Sequence, residues 1–223
     1  MIPQLTEKIR NKPTREITLF LVNFYLIGLA GTIIPFTRPL FLLIFPFAIL
    51  LSLAVLMLFP DKSLSMKAWV MTAVIAASGF FVEVAGVATG KIFGSYTYGP
   101  TLGPKLFETP LMIGINWTLL VFATASVTER MKINVLFKIS AAAAIMVIYD
   151  IFLEITADKL DMWYWEGNGV PVRNYVAWFA IALIMHALLK IAGVRITFRS
   201  DIPVIASQVA YFILLSVWFT FAE

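Results

Sequence analysis

Three carboxyl groups stand where a carboxyl group is costly: Glu83, Asp150 and Glu154 each interrupt an otherwise apolar stretch of the chain. On insertion scales an acid at the centre of a membrane helix costs roughly 2.5 to 3.5 kcal/mol, so an acid retained there is read first as functional. A carboxyl group in an apolar, water-excluding setting tends to keep its proton, and a held proton is the reagent of general acid catalysis. Asp150 and Glu154 are four residues apart and share one helix face. Ionised together they would repel, which favours a shared proton and a role in holding an attacking water. Glu83 lies within a stripe of small residues, Thr72, Ala76, Gly79, Gly86 and Gly90, recurring at steps of four and three. Small residues allow close helix contact, so Glu83 points into the bundle and is the first choice as proton donor. The plainer alternative is structural: three acids tied by hydrogen bonds to Asn116 or to backbone carbonyls.

Two segments add aromatic density. One, 94–100, carries Tyr96 and Tyr98; the other, 163–169, carries Trp163 and Trp165, and both are rich in turn residues. Aromatic residues near a membrane boundary often form an interface belt. A belt does not explain why these segments fall at the same end as the acids, whereas ring faces attract positive charge and would wall a site that handles a carbocation. The same end gathers Asn116, Trp117, Asn174, Tyr175 and Trp178.

The elements that must position these residues are membrane helices. Of 223 residues, 61% are hydrophobic and 13% charged, and the mean hydropathy is +0.90. Soluble domains run about half apolar and about a quarter charged. A helix needs roughly 20 apolar residues to cross a bilayer core, and seven stretches qualify: 17–36, 40–59, 68–89, 110–128, 139–157, 174–194 and 202–222. They are continuous apolar runs, unlike the alternating segments of outer-membrane barrels. The expected fold is therefore all-α, a single seven-helix membrane domain. The polar segment 1–16 leads into a full-length apolar run with no small-residue cleavage site, which reads as an anchor and not a signal peptide.

Five of the 17 Lys and Arg residues (Arg38, Lys91, Lys105, Lys159 and Arg173) fall on the side of the long loops 90–109 and 158–173. The other 12, among them Lys8, Arg10 and Arg130, fall on the side of the N-terminus, which the positive-inside rule makes cytoplasmic. All three acids then lie in the outer half of the membrane, with Glu83 roughly 10 Å below its helix end at about 1.5 Å per residue.

Other chemistries are excluded. With no cysteine there is no disulfide, iron–sulfur or thiol chemistry, and one histidine makes a metal site unexpected. His186 lies mid-helix away from the acids and reads as a packed or hydrogen-bonded side chain. The last span has no lysine for a retinal Schiff base. There is no phosphate-binding glycine motif, and the basic loops follow topology and not nucleic acid.

The run Glu83-x-x-Gly86, Gly94-x-Tyr96-x-Tyr98, Gly103-Pro104, Pro110, Asn116-Trp117, then Asp150-x-x-x-Glu154, Trp163-x-Trp165, Val170-Pro171-x-x-Asn174-Tyr175-x-x-Trp178 resembles the membrane-bound carotenoid hydratases, of the bisanhydrobacterioruberin and gamma-carotene hydratase type. The resemblance covers roughly 83–178. Ile155 departs from it, since proline often follows the glutamate at that point in the family. The resemblance implies a multi-pass enzyme of the cell membrane that adds water to the terminal double bond of an acyclic carotenoid, giving a tertiary alcohol. Its catalytic groups would be Glu83, Asp150, Glu154 and Asn116. The polyene would lie against Tyr96, Tyr98, Trp117, Trp163, Trp165, Asn174, Tyr175 and Trp178. It implies no metal or organic cofactor; its partners would be a lipophilic polyene, the bilayer and other carotenoid-biosynthesis enzymes. A carotenoid cyclase or isomerase would use the same protonation, and a proton-coupled transporter would use the acids as a relay. Topology is open to direct measurement: reporter fusions after Lys132 and after Asp161 are expected on opposite sides of the membrane, and a common side would refute the helix count.

Overall fold

The computed structural model describes residues 12–167 and 169–222; Lys8, Arg10 and Asn168 lie outside them. Eight helices are present among the described residues: α1 (Thr14–Ile33), α2 (Arg38–Leu43), α3 (Phe45–Leu58), α4 (Met66–Thr89), α5 (Met112–Glu129), α6 (Val135–Ala157), α7 (Val172–Ile191) and α8 (Asp201–Ala222). Six of them, all but α2 and α3, are long and apolar enough to cross a membrane. Their starts carry ordinary local signals. The Ser65 hydroxyl accepts from Ala68 N–H at 3.2 Å and the Asn134 side chain from Phe137 N–H at 3.0 Å, which satisfies amide groups left free at a helix N-terminus. Gly90 ends α4 in the left-handed conformation, φ 62°, where glycine has no Cβ penalty.

The expected second span, 40–59, is not one helix. It breaks at Ile44, between α2 and α3, because Pro46 has no N–H to offer the Leu42 carbonyl and its ring crowds that oxygen. The 14 residues of α3 reach only about 21 Å at about 1.5 Å per residue, against a core of roughly 30 Å. The α2–α3 pair nevertheless carries the chain back to the end where α1 began. Arg38, the first residue of α2, donates to the Lys159 carbonyl beyond α6. At the opposite end Pro60, after α3, bridges to Phe198, and Arg199 N–H donates to Phe59 O at 2.9 Å.

Helix α5 is the axis. Of its 18 residues 78% are buried, against 28 to 44% of an apolar 18-residue stretch in each of the other five long helices; it packs on α3, α4, α6, α7 and α8. That position explains its lower hydropathy. Thr118, Thr124 and Thr128 return their hydroxyls to backbone oxygens four residues earlier, at 2.9, 2.7 and 3.0 Å, so these three buried hydroxyls are satisfied within the helix. The small-residue stripe of α4 faces α5 at Ala76 and Gly79, while Gly86 meets Phe93 and Tyr96 of the following segment. A Cβ on Gly79 would stand 2.5 Å from Trp117 Cβ, and one on Gly114 would stand 2.5 Å from the Ala76 carbonyl oxygen.

The all-α expectation misses two small antiparallel ribbons in the loop region 90–111 and its surroundings: β1 (Tyr96–Tyr98) with β4 (Trp163–Trp165), and β2 (Lys105–Leu106) with β3 (Thr109–Pro110). The first ribbon joins the two long loops, and its register sets Tyr96 opposite Trp165 and Tyr98 opposite Trp163. Successive strand side chains alternate faces. Tyr96, Tyr98 and Trp163 therefore turn inward and are buried, with Trp165 half-buried beside them, while Thr97 and Tyr164 are exposed.

The close α4–α5 contact gives a packing prediction. Gly79→Val should lower the midpoint of thermal unfolding in detergent, with a cost of about 1 to 3 kcal/mol for overpacking. Gly28→Ala, whose added methyl would meet only the Tyr211 ring at 3.7 Å, should leave the midpoint unchanged.

Candidate active site

The ribbon closes one end of the bundle and supplies hydrogen-bond donors to the acids beneath it. Glu83, on α4, is 3% exposed. Its Oε2 accepts from Tyr96 O–H at 2.6 Å and Tyr98 O–H at 2.9 Å, and its Oε1 accepts from the Trp117 indole N–H at 3.2 Å. Burial, and after it the neighbouring Glu83 side chain, push both tyrosine hydroxyls above their ordinary range. They are therefore neutral donors.

Glu154, on α6, is equally well supplied. Its Oε2 accepts from the indole N–H groups of Trp163 at 3.0 Å and Trp165 at 2.9 Å. Its Oε1 accepts from Asn174 Nδ2 at 3.2 Å. That same amide nitrogen gives its other hydrogen to Asp150 Oδ2, at 2.9 Å, so one amide on α7 ties together both acids of α6. Asp150 differs from the other two. It is fully buried, and its Oδ1 has no hydrogen-bond partner among the described residues.

These side chains line one cavity of about 50 Å³. Around it stand Asn116, Trp117, Asn174 and Trp178 along with the four ribbon aromatics and the three acids. Trp117 and Trp178 stack with ring centroids 4.3 Å apart, Tyr96 and Trp165 lie 4.9 Å apart, and Tyr98 meets Trp163 edge-on at 6.0 Å. Eleven of the twelve residues singled out from the sequence thus meet in one place. Tyr175 does not line the cavity; it is half-buried on α7. His186 lies elsewhere, against the Thr124 hydroxyl at 3.2 Å.

The cavity also has a wall that sequence reasoning missed: Tyr25 from α1, Phe45 and Ile49 from α3, Tyr149 from α6, and Gln208 and Phe212 from α8. Tyr25 and Gln208 were visible only as single uncharged polar residues within apolar runs. A larger apolar groove of about 620 Å³ runs along α1, α2 and α3, lined by Ile27, Ile44, Phe47 and Leu51 among others, and it shares Tyr25, Phe45 and Ala48 with the cavity. Among the described residues no group of three or more His, Asp or Glu side chains is set to hold a metal ion. The arrangement offers one carboxyl oxygen without a partner, two carboxyl groups saturated with donors, aromatic faces and an apolar approach.

The chain is 29% identical to the bisanhydrobacterioruberin hydratase of Haloarcula japonica over 154 residues, covering 60% of this chain and 50% of that protein. The chain thus matches about half the length of that curated relative. No solved structure matches it. The model of the family described as carotenoid biosynthesis protein matches residues 39–222, most of the sequence and every acid and aromatic side chain of the cavity except Tyr25, and on that match the chain belongs to the carotenoid biosynthesis protein family.

Proposed function

We propose that the protein is a carotenoid hydratase of the cell membrane, crossing it seven times with the α2–α3 pair as the second crossing and its N-terminus in the cytoplasm. The observation that carries the reading is Asp150 Oδ1, a buried carboxyl oxygen without a partner among the described residues, in a cavity that an apolar groove meets. The similarity to an archaeal hydratase supports the same reaction.

The hydrogen-bond inventory supports a division of roles among the acids. Hydrogen bonds to the ionised form favour it, and bonds to charged groups are worth roughly 1.5 to 3 kcal/mol each. Glu83 and Glu154 each receive three, enough to offset the roughly 2.5 to 3.5 kcal/mol that insertion scales assign to an intramembrane acid. Both are carboxylates. Asp150 receives one donor, shares it with Glu154, and would add a third negative charge if ionised. It therefore keeps its proton, and the donor role expected of Glu83 passes to Asp150.

The polyene enters from the lipid along the α1–α3 groove and places its terminal trisubstituted double bond beside Asp150. The alkene π pair forms a C–H bond at the less substituted carbon while the Asp150 O–H bond breaks, leaving a tertiary cation and a carboxylate. The Glu83 and Glu154 carboxylates and the surrounding ring faces stabilise the cation. A water forms the C–O bond and gives a proton to Asp150, which restores the acid and leaves a tertiary alcohol. The protein's own groups perform each step.

The test is expression in a host that accumulates an acyclic carotenoid, with mass analysis of the pigments. The wild-type chain should yield a product heavier by one water per hydrated end. Asp150→Asn, inserted at normal levels, should lose at least about 10²-fold of that activity, as expected for loss of a general acid. Ring formation without a gain in mass would indicate a cyclase, and unchanged pigment would refute the enzyme.

A further inference from the structure

Gln208 of α8, 3% exposed, is held by a hydrogen-bond chain whose direction fixes which way its amide points. The Ser52 hydroxyl donates to the Ala48 carbonyl at 2.8 Å. Its single hydrogen is then used, so across the 2.6 Å contact with Tyr25 it accepts, and the Tyr25 hydroxyl donates. The Tyr25 oxygen in turn accepts from Gln208 Nε2 at 2.8 Å. The chain runs one way, from amide to phenol to hydroxyl to backbone carbonyl, and it leaves the Gln208 carbonyl oxygen pointing away from Tyr25.

That oxygen, Oε1, is buried and has no partner among the described residues, and the other buried side-chain atom in the same position is Asp150 Oδ1. Both residues line the cavity of about 50 Å³. A water needs roughly 10 to 15 Å³ of such space and at least two polar partners, so the cavity they line has room for one. Buried polar atoms in proteins are satisfied with few exceptions.

We propose that Gln208 Oε1 and Asp150 Oδ1 together hold the water that becomes the hydroxyl group of the product; this rests on the hydratase reading. Before reaction the water accepts from the Asp150 O–H and donates to Gln208 Oε1. When Asp150 has given its proton to the alkene, its Oδ1 becomes an acceptor. The water then turns its second hydrogen to that oxygen while keeping the first on Gln208, and a lone pair is freed for the cation. As the C–O bond forms, that second hydrogen passes to Asp150 as a proton. Gln208 thereby decides the fate of the cation: with the water fixed it is captured, and without it the cation returns a proton and reverts to alkene.

Gln208→Met keeps the length and removes the acceptor, and two measurements test the idea. In membranes suspended in D₂O, the variant should still exchange deuterium into the alkene, while hydration falls at least about tenfold relative to exchange, a barrier change of one decade. Gln208→Glu, which as a neutral acid keeps an oxygen toward the cavity and a hydrogen toward Tyr25, should restore hydration. A high-resolution structure of the wild-type protein should contain a water within hydrogen-bond distance of both oxygens, and the Gln208→Met structure should lack it. Equal losses of exchange and hydration, undiminished hydration in Gln208→Met, or no water at that position would each overturn the proposal. A bridging water in a wild-type protein that leaves acyclic carotenoids unhydrated would instead sustain the water site and overturn the hydratase reading.

Discussion

Acids buried in an apolar bundle must find hydrogen-bond donors without water, and the closed end of this molecule is arranged around that need. The tyrosine–tryptophan ribbon gives two phenols to Glu83 and two indoles to Glu154. Helix α5 adds the Trp117 indole, and α7 adds the Asn174 amide shared between Glu154 and Asp150. Each donor comes from an element different from the one bearing its acid, although β1 is the next element after α4 and β4 the next after α6. Satisfying the carboxyl groups therefore ties α4, α5, α6, α7 and both long loops into one assembly. The glycines that bring α4 against α5 serve the same end, since Trp117 reaches Glu83 only because Gly79 lets the helices touch.

Enclosure follows from the same contacts. The ribbon covers the cavity at one end of the bundle, stacked Trp117 and Trp178 close another wall, and α5 fills the centre beneath. What stays open is the apolar flank at α1 to α3, where the break at Ile44 interrupts the helix that would otherwise lie there. A polar chamber with an oily entrance suits a substrate that is hydrocarbon along its length and reacts at one end. In so enclosed a chamber each fixed charge acts more strongly than in water, so with Glu83 and Glu154 ionised as proposed, the two carboxylates would stabilise a nearby cation.

Much of this was legible because its signals are local. The long apolar runs located six helices to within a few residues, and the cost of an intramembrane acid picked out Glu83, Asp150 and Glu154. The i, i+4 spacing put Asp150 and Glu154 on one face, where Asn174 bridges them. The rest depends on distant partners. Tyr-x-Tyr and Trp-x-Trp have the period of a strand, but each is three residues long, and their pairing joins segments more than 60 residues apart. The second span counted as continuous because Pro46 is apolar, although its missing N–H breaks the helix. Gln208, Tyr25 and Ser52 carry no charge, so each adds little penalty to its run. Their role emerges only where three helices bring them into one hydrogen-bond chain. Glu83 was favoured as donor because small residues exclude water around it, a local inference that could not include the three donors arriving from β1 and α5.

The central claim is that among three neighbouring acids the proton resides on Asp150 while Glu83 and Glu154 are ionised. Infrared spectroscopy of the protein in membranes reads this directly through the carbonyl stretch of a protonated carboxyl group. The account predicts a buried-acid band that disappears in Asp150→Asn and persists in Glu83→Gln and Glu154→Gln. Loss of the band in Glu83→Gln, with its retention in Asp150→Asn, would contradict the account and return the proton to Glu83.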